Sequence, residues 1–173
     1  MKRAVPVHER WAHFGTERSK LAHTPRAGVC ISAFLIARRG NSILLGLPRM
    51  HDSWTGKGGY AKWRLAEPEM QNAWLLPATH LRMEEHPDDA ARRISYEWTG
   101  LKGKPQLVTI QSHLRRRRNG NHWDLCFVYE MHVRALPKCK PWWSEMRFVR
   151  SEEILKMKLG RGHKDILREA GYV

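Results

Sequence analysis

The segment from Leu76 to Leu101 constrains the fold most, because it specifies one helix with both of its ends marked. His86 stands at the predicted N-cap, and a proline followed by two aspartates suits the first turn and its positive dipole end. Gly100 follows as a helix stop. The sequence therefore predicts a loop, a helix over about residues 87 to 99, and a glycine terminator.

The residues on either side of this helix have the patterns of β-strands. Gly28 to Ala37 is a continuous apolar run rich in β-branched residues, and Ser42 to Leu47 returns after a turn. Further strands are predicted at 106–110, 122–133 and 146–149, followed by a helix with Ser151 as its N-cap and a last helix over about 163–170. This mixture of strands and helices predicts an α/β protein.

The segment from Leu76 to Leu101 resembles the signature of the Nudix hydrolases. That signature has a glycine, a glutamate, Arg-Glu, Glu-Glu and a Gly-hydrophobic pair at fixed spacing. The residues that fall on this spacing are Glu85, Arg93, Glu97, Gly100 and Leu101. Three positions differ, because Thr79 replaces the glycine, Ile94 the glutamate after the arginine, and Trp98 the last glutamate. The resemblance covers roughly residues 27 to 149 and implies an α/β/α sandwich on a mixed β-sheet.

The resemblance also implies a metal site, because glutamates of the family's helix bind Mg²⁺ or Mn²⁺ at a diphosphate. It implies Glu85 and Glu97 as ligands, with Glu84 assisting from the loop. Arg93 would then orient Glu97. The alternative is a plain ion pair between these two residues, which are four apart on the helix. These positions are the candidate catalytic residues Glu97, Glu85 and Arg93.

The departures from the signature weaken that implication. Ile94 and Trp98 share the arc of Glu97, so the face that is acidic in the family is mostly apolar here. A single carboxylate in apolar surroundings binds Mg²⁺ weakly. Thr79 and Ala78 also carry side chains where the family has glycines, and these restrict positive φ and change the expected loop geometry.

The charge of the chain points to a polyanionic partner. The sequence has 31 Lys and Arg against 17 Asp and Glu, a formal net charge of +14. Such an excess favours nucleic acid as the partner. Arginines at a predicted hairpin tip and lysines beside Trp142 and Trp143 form the candidate nucleic-acid-binding set: Arg115, Arg116, Arg117, Arg118, Lys138 and Lys140. The alternative is a solvated turn and two core tryptophans.

The remaining sequence features concern the domain organisation of the chain and its cellular compartment. Residues 1–26 are predicted to form a basic arm, and residues 27–173 a single domain with a long insertion at about 48–72. That insertion suits a substrate lid, a partner-binding excursion or a structural insertion. The three cysteines form no CxxC pair, which favours a reducing compartment and argues against a structural zinc site. With no membrane span, the expected location is the cytoplasm, or alternatively an organellar matrix.

Two functions fit these observations. The first is a Nudix pyrophosphohydrolase that acts on nucleoside diphosphate-linked compounds or RNA 5′ ends with Mg²⁺ or Mn²⁺, with catalysis impaired by the altered signature. The second is a catalytically inactive, RNA-binding component of a ribonucleoprotein. The retained Glu85, Arg93 and Glu97 favour the first function. The altered positions and the net charge favour the second.

Overall fold

The computed structural model describes residues 29–52, 65–117 and 120–173, except for the side chains of 115–117, 120 and 121. The predicted arm, the middle of the predicted insertion, Arg118 and the side chains of Arg115 to Arg117 lie outside the described part. The chain divides into two compact units. The larger unit comprises Ile31–Gln111 and Leu125–Val173, and the described part of the smaller unit comprises residues 29–30 with the Ser112–Asp124 segment.

Within the described residues, six strands form one sheet, which confirms the predicted α/β architecture on a mixed sheet. The strands are β1 (Val29–Arg39), β2 (Ser42–Pro48), β3 (Ala78–His80), β4 (Gln106–Arg117), β5 (Gly120–His132) and β6 (Trp143–Arg150). Their order is β4-β5-β1-β2-β6, and β3 pairs with β1. Among these described strands, β4 and β6 are the outermost, and β1 lies at the centre.

Both faces of the sheet are covered by apolar side chains in the larger unit. Alternation along β1 directs Leu35 into a cluster with Trp98, and Ile36 into a second cluster with Leu167. The first cluster belongs to the signature helix and the second to the last helix, α3 (His163–Glu169). This arrangement has helices on both faces of a sheet, as the sandwich prediction requires.

The signature helix begins where the sequence predicts. Helix α1 (Pro87–Arg93) is capped by His86, whose Nδ1 accepts a hydrogen bond from the backbone N–H of Asp88 at 3.2 Å. It ends at Gly100, whose φ of 67° is the left-handed conformation that favours glycine. The helix predicted over about residues 87 to 99 is present, and its last part, Ile94–Thr99, is a π-helical turn.

The prediction for the next helix was wrong by one residue. Helix α2 (Ser151–Ile154) has Arg150 at its N-cap, and Ser151 is already its first helical residue. The reason is that β6 pairs with β2 as far as Arg150 and runs into the helix without a linker. The Arg150 side chain interacts with the first turn of the helix, because its Nε donates to Glu153 Oε1 at 2.8 Å.

The end of the predicted insertion packs against the rest of the larger unit. A 3₁₀ turn at Pro68–Met70 places the Met70 side chain in the first core cluster. The Lys158 ammonium donates to the carbonyl oxygens of Pro68 and Gln71 at 3.0 and 2.9 Å. These contacts give residues 68–71 a structural role. The middle of the predicted insertion, residues 53–64, lies outside the described residues.

Candidate functional site

The centre of the candidate site is an ion pair between the loop and the helix. Arg93 Nε donates to Glu85 Oε1 at 2.6 Å, and one terminal nitrogen of Arg93 donates to Glu85 Oε2 at 2.6 Å. The same side chain reaches the His80 carbonyl oxygen at 3.1 Å. Only 8% of the Arg93 side chain and 12% of the Glu85 side chain are exposed. The pair therefore fixes the loop to α1 in a largely water-excluded position.

The protonation of Glu85 reflects this pairing. The hydrogen bonds from Arg93 lower the pKa of the Glu85 carboxyl, and a 2.8 Å bond from the Arg82 backbone N–H acts in the same direction. Burial opposes both effects but is smaller than the contribution of Arg93. Glu85 is thus held as a carboxylate whose oxygens already accept hydrogen bonds.

The expected pairing of Arg93 with Glu97 is not the one that the structure shows. Arg93 turns to Glu85, while Glu97 Oε2 lies 3.7 Å from a terminal nitrogen of Arg82. Glu97 Oε2 is buried and accepts no hydrogen bond from the described residues. The reason is that the loop passes along the helix and places both Glu85 and Arg82 beside it. Arg93 therefore pairs with Glu85, and Glu97 lies beside Arg82. The sequence gives no spacing signal for Arg82, so its part in the site was not predicted.

The loop before α1 departs from a glycine turn, as the side chains at 78 and 79 indicate. Ala78 and Thr79 are extended in β3, where Thr79 pairs with Ala33 and is buried. The positive φ falls instead on Glu84, at 61°. The Glu84 side chain is exposed. Its positive φ, which is uncommon at a non-glycine residue, belongs to the turn that brings Glu85 back to Arg93.

Ile94 and Trp98 are core residues rather than cleft residues. Both are almost completely buried in the first core cluster. Trp98 packs edge-on against Trp142 and Trp143, with ring centroids 6.2 and 5.8 Å apart. Trp143 Nε1 also donates to the Trp98 carbonyl oxygen at 3.1 Å. Trp142 and Trp143 are therefore core tryptophans, as the alternative interpretation expects, and both indoles anchor the helix to the start of β6.

These contacts decide how well the acidic residues suit Mg²⁺ or Mn²⁺. Glu85 is neutralised by Arg93, and the Arg82 guanidinium stands beside Glu97. A hard dication needs several oxygen ligands, and an adjacent guanidinium competes for the same carboxylate. Of the three candidate ligands, Glu97 offers one buried oxygen without a hydrogen bond, and Glu84 is exposed on the loop. This donor set does not fit a resident multi-carboxylate metal centre.

Basic residues surround the end of the π-helical turn. The Lys138 backbone N–H donates to the Thr99 carbonyl oxygen at 2.7 Å, and its side chain lies against Gly100. Lys138 is exposed and Lys140 is half-buried. Nearby in sequence, Lys102 and Lys104 are exposed on the segment that follows Gly100. The structure thus brings Lys138 to the same helix end as Lys102.

No helix in the described ranges has the length and apolar character needed to span a membrane. No protein-family model matches the sequence, and the search of curated proteins also found no match.

Solved structures do match the chain. A MutT protein from Methanosarcina mazei Go1 is 17% identical, with a TM-score of 0.61 over 82% of this chain and 92% of its own. A NUDIX hydrolase from Nitrosomonas europaea is 16% identical, with a TM-score of 0.58 over 82% and 86%. The NUDIX domain of Shewanella oneidensis NrtR, complexed with ADP ribose, is 16% identical, with a TM-score of 0.56 over 96% and 97%. At these identities the likeness concerns architecture, and this chain has the Nudix fold.

Proposed function

We propose that this chain is a Nudix-fold RNA-binding protein without efficient metal-dependent hydrolysis. The observation that carries the proposal is the burial of Ile94 and Trp98 at two positions where the family signature has glutamates. Trp98 is held by two neighbouring indoles and by a backbone hydrogen bond, so its position is a built part of the core. The helix face needed for metal chemistry has become a packing surface.

The charge distribution supports a nucleic-acid partner. Residues 98–123 and 131–144 contain no aspartate or glutamate, and together they carry nine lysines and arginines. The two segments meet where the Lys138 N–H binds the Thr99 carbonyl oxygen. Local cation density without intervening acids attracts phosphates by counterion release. The basic helix end is defined here as Lys102, Lys104 and Lys138, and it is the described part of the proposed RNA surface.

Binding to single-stranded and hairpin RNA at several salt concentrations tests this proposal. Replacing Lys102, Lys104 and Lys138 with alanine is expected to weaken binding. It should also reduce the slope of the log binding constant against log[salt] by the equivalent of up to about three phosphate contacts. Changing Arg115 to Arg118 to alanine should do the same. The matched control replaces Lys156, Lys164 and Arg168, which lowers the net charge equally on α3 and on the connection between α2 and α3. Equal losses in variant and control would contradict a specific RNA surface.

A second candidate function rests on Glu97. Its buried Oε2 accepts no hydrogen bond from the described residues, which is an arrangement that a ligand donor or cation could satisfy. In this alternative, Glu97, Glu85 and Arg93 serve a pyrophosphatase that acts on nucleoside diphosphate-linked compounds. That function would need Mg²⁺ or Mn²⁺ at Glu85, Glu97 and Glu84, where Arg93 and Arg82 compete for the first two carboxylates. The NrtR domain complexed with ADP ribose suggests the ligand class.

Turnover of dinucleotides, nucleotide sugars and 5′-triphosphorylated RNA with Mn²⁺ separates the two functions. The hydrolase alternative requires turnover that Glu97→Gln abolishes and that Glu152→Gln, at an exposed position of α2, leaves intact. If the chain is an RNA-binding protein, neither the unmodified chain nor Glu97→Gln should turn over these substrates. RNA binding by Glu97→Gln should equal that of the unmodified chain, because the basic helix end is unchanged.

A further inference from the structure

We propose that Cys30, His122 and Asp124 form a binding site for Zn²⁺. One potential ligand atom from each residue, a thiol sulfur, a ring nitrogen and a carboxylate oxygen, lies within 4.8 Å of the other two. All three residues belong to the smaller unit. The site is separate from the signature helix and independent of the proposed RNA function.

The backbone brings these residues together for simple reasons. His122 and Asp124 are two apart in β5, so their side chains project from the same face of the strand. Cys30 lies in β1, which neighbours β5 in the sheet. Strand pairing therefore joins ligands that are 92 residues apart, as the numbering of Cys30 and His122 shows. Cysteine spacing along the sequence contains no sign of such a site.

The three side chains of the cluster are mostly or partly buried, so their positions are fixed by packing. Only 6% of the His122 side chain and 18% of the Asp124 side chain are exposed, and Cys30 is half-buried. His122 Nε2 and Asp124 Oδ1 are 3.0 Å apart. Side chains held in one place lose little further freedom on binding an ion. Cys30 and Asp124 are each partly exposed to solvent.

The donor set selects the metal. Sulfur, imidazole nitrogen and carboxylate oxygen together are typical ligands of Zn²⁺, whereas Mg²⁺ and Ca²⁺ prefer oxygen alone. Tetrahedral Zn²⁺ at about 2.0–2.3 Å from each ligand places ligand atoms roughly 3.3–3.8 Å apart. The 3.0 Å between His122 Nε2 and Asp124 Oδ1 and the 4.8 Å limit on all three separations bracket this range. Three protein ligands leave the fourth position for water.

The competing explanation is a hydrogen-bonded cluster in which Asp124 accepts a hydrogen bond from His122 and the thiol packs beside them. The two explanations differ in the state of the sulfur. Zn²⁺ binds the thiolate and releases the thiol proton, so it changes the reactivity and the spectrum of Cys30. A hydrogen-bonded cluster has no metal–sulfur bond and gives neither change when Zn²⁺ is added.

The test begins with chelator-treated full-length chain titrated with Zn²⁺ under reducing conditions. We expect one Zn²⁺ per chain at micromolar or lower concentration, and a thiolate-to-metal charge-transfer band when Co²⁺ replaces it. Cys30→Ser and Asp124→Asn should each weaken Zn²⁺ binding at least tenfold. Cys139→Ser, which removes an exposed cysteine outside the cluster, should bind like the unmodified chain. Equal binding by Cys30→Ser and the unmodified chain would overturn the proposal.

A second measurement needs no variant and so does not depend on a substituted chain folding. Alkylation of the three cysteines is followed by mass spectrometry of the unmodified chain with and without Zn²⁺. The proposal expects Zn²⁺ to slow alkylation of Cys30 at least tenfold while the exposed Cys139 reacts at an unchanged rate. Alkylation of Cys30 at the same rate in both conditions contradicts the site.

Discussion

Arg93 and Glu85 form a bidentate ion pair that attaches helix α1 to the loop preceding it, with both contacts at 2.6 Å. Removing one partner leaves the other as an uncompensated charge in a nearly buried position. This pair is therefore a stronger determinant of local structure than the exposed pairs on the same helix. It holds the loop against the helix at a turn whose positive φ falls on Glu84.

Replacing Glu85 with glutamine should lower the free energy of unfolding by about 3–5 kcal/mol at pH 7, because Arg93 is left without its counterion. Urea denaturation measures this loss. The matched control is Asp89→Asn, which breaks the exposed Arg92–Asp89 pair and should cost much less, because solvent screens that pair. If both substitutions cost the same, the burial of the Glu85 pair has no energetic consequence.

The same pair should make stability depend on acid. The pKa of Glu85 is lowered in the folded state, so its contribution is complete above the unfolded value of 4.5 and disappears as the pH falls through the folded value. The difference between the unmodified chain and Glu85→Gln should be largest near neutral pH and shrink below pH 4.5. A constant difference from pH 7 to pH 3 would argue against ionisation of Glu85 as its source.

Trp98→Ala should destabilise the chain by about 3–5 kcal/mol, because it empties a buried indole site between two other tryptophans. Trp98→Glu, which restores the family's acidic residue, should cost at least as much and should not create hydrolase activity, since it buries a charge. Thermal unfolding and the Mn²⁺ turnover assay measure both. Tyr96→Ala, at an exposed position in the same helical turn, should change stability by less than about 0.5 kcal/mol.

Gly46→Ala should be destabilising by about 1–3 kcal/mol, because the added Cβ would lie 2.6 Å from Cε3 of the Trp143 ring. That ring is buried and held by its hydrogen bond to the Trp98 carbonyl oxygen, so it has little room to move. Denaturation of Gly46→Ala in a Trp143→Leu background provides the control. The cost of the alanine should fall there, and purely additive losses would exclude the ring as the cause.

Tyr172→Phe should raise the pKa of Glu130 and cost about 1–2 kcal/mol. Burial disfavours the Glu130 carboxylate, but hydrogen bonds from Tyr172 and Arg38 outweigh it and lower the pKa. The phenol thus ties the chain end to β5. Carboxyl titration by NMR measures the shift, and urea denaturation measures the loss. Tyr96→Phe, which removes an exposed hydroxyl, should change neither quantity.

The sequence carried enough information for the architecture but less for the site. The N-cap at His86, the stop at Gly100 and the central strands depend on local chemistry, which the residues display directly. The partner of Arg93 depends on where the loop places Glu85 and Arg82, and this follows from the positive φ at Glu84. The spacing of residue types along the sequence does not indicate this turn at Glu84.

The tryptophans show the same limit from another direction. Trp142 and Trp143 follow lysines and a proline, which gives them the sequence context of an exposed basic surface. Their burial depends on Trp98, a residue more than forty positions earlier that enlarges the core beneath them. Local patterns therefore overestimated how much aromatic surface is available to RNA, while the basic residues beside them are exposed or half-buried.

The π-helical turn at Ile94–Thr99 keeps the side-chain rows of the signature helix parallel to its axis. Residues four apart in an α-helix overshoot a full turn by about 40°, so such a row gradually winds around the helix. Hydrogen bonds that reach five residues back turn the chain less per residue and cancel this drift. Burial accordingly repeats every four residues, at 90–91, 94–95 and 98–99. Arg93 and Glu97 consequently share one row along a single loop, and a deletion within the turn would rotate Glu97 away from Arg82.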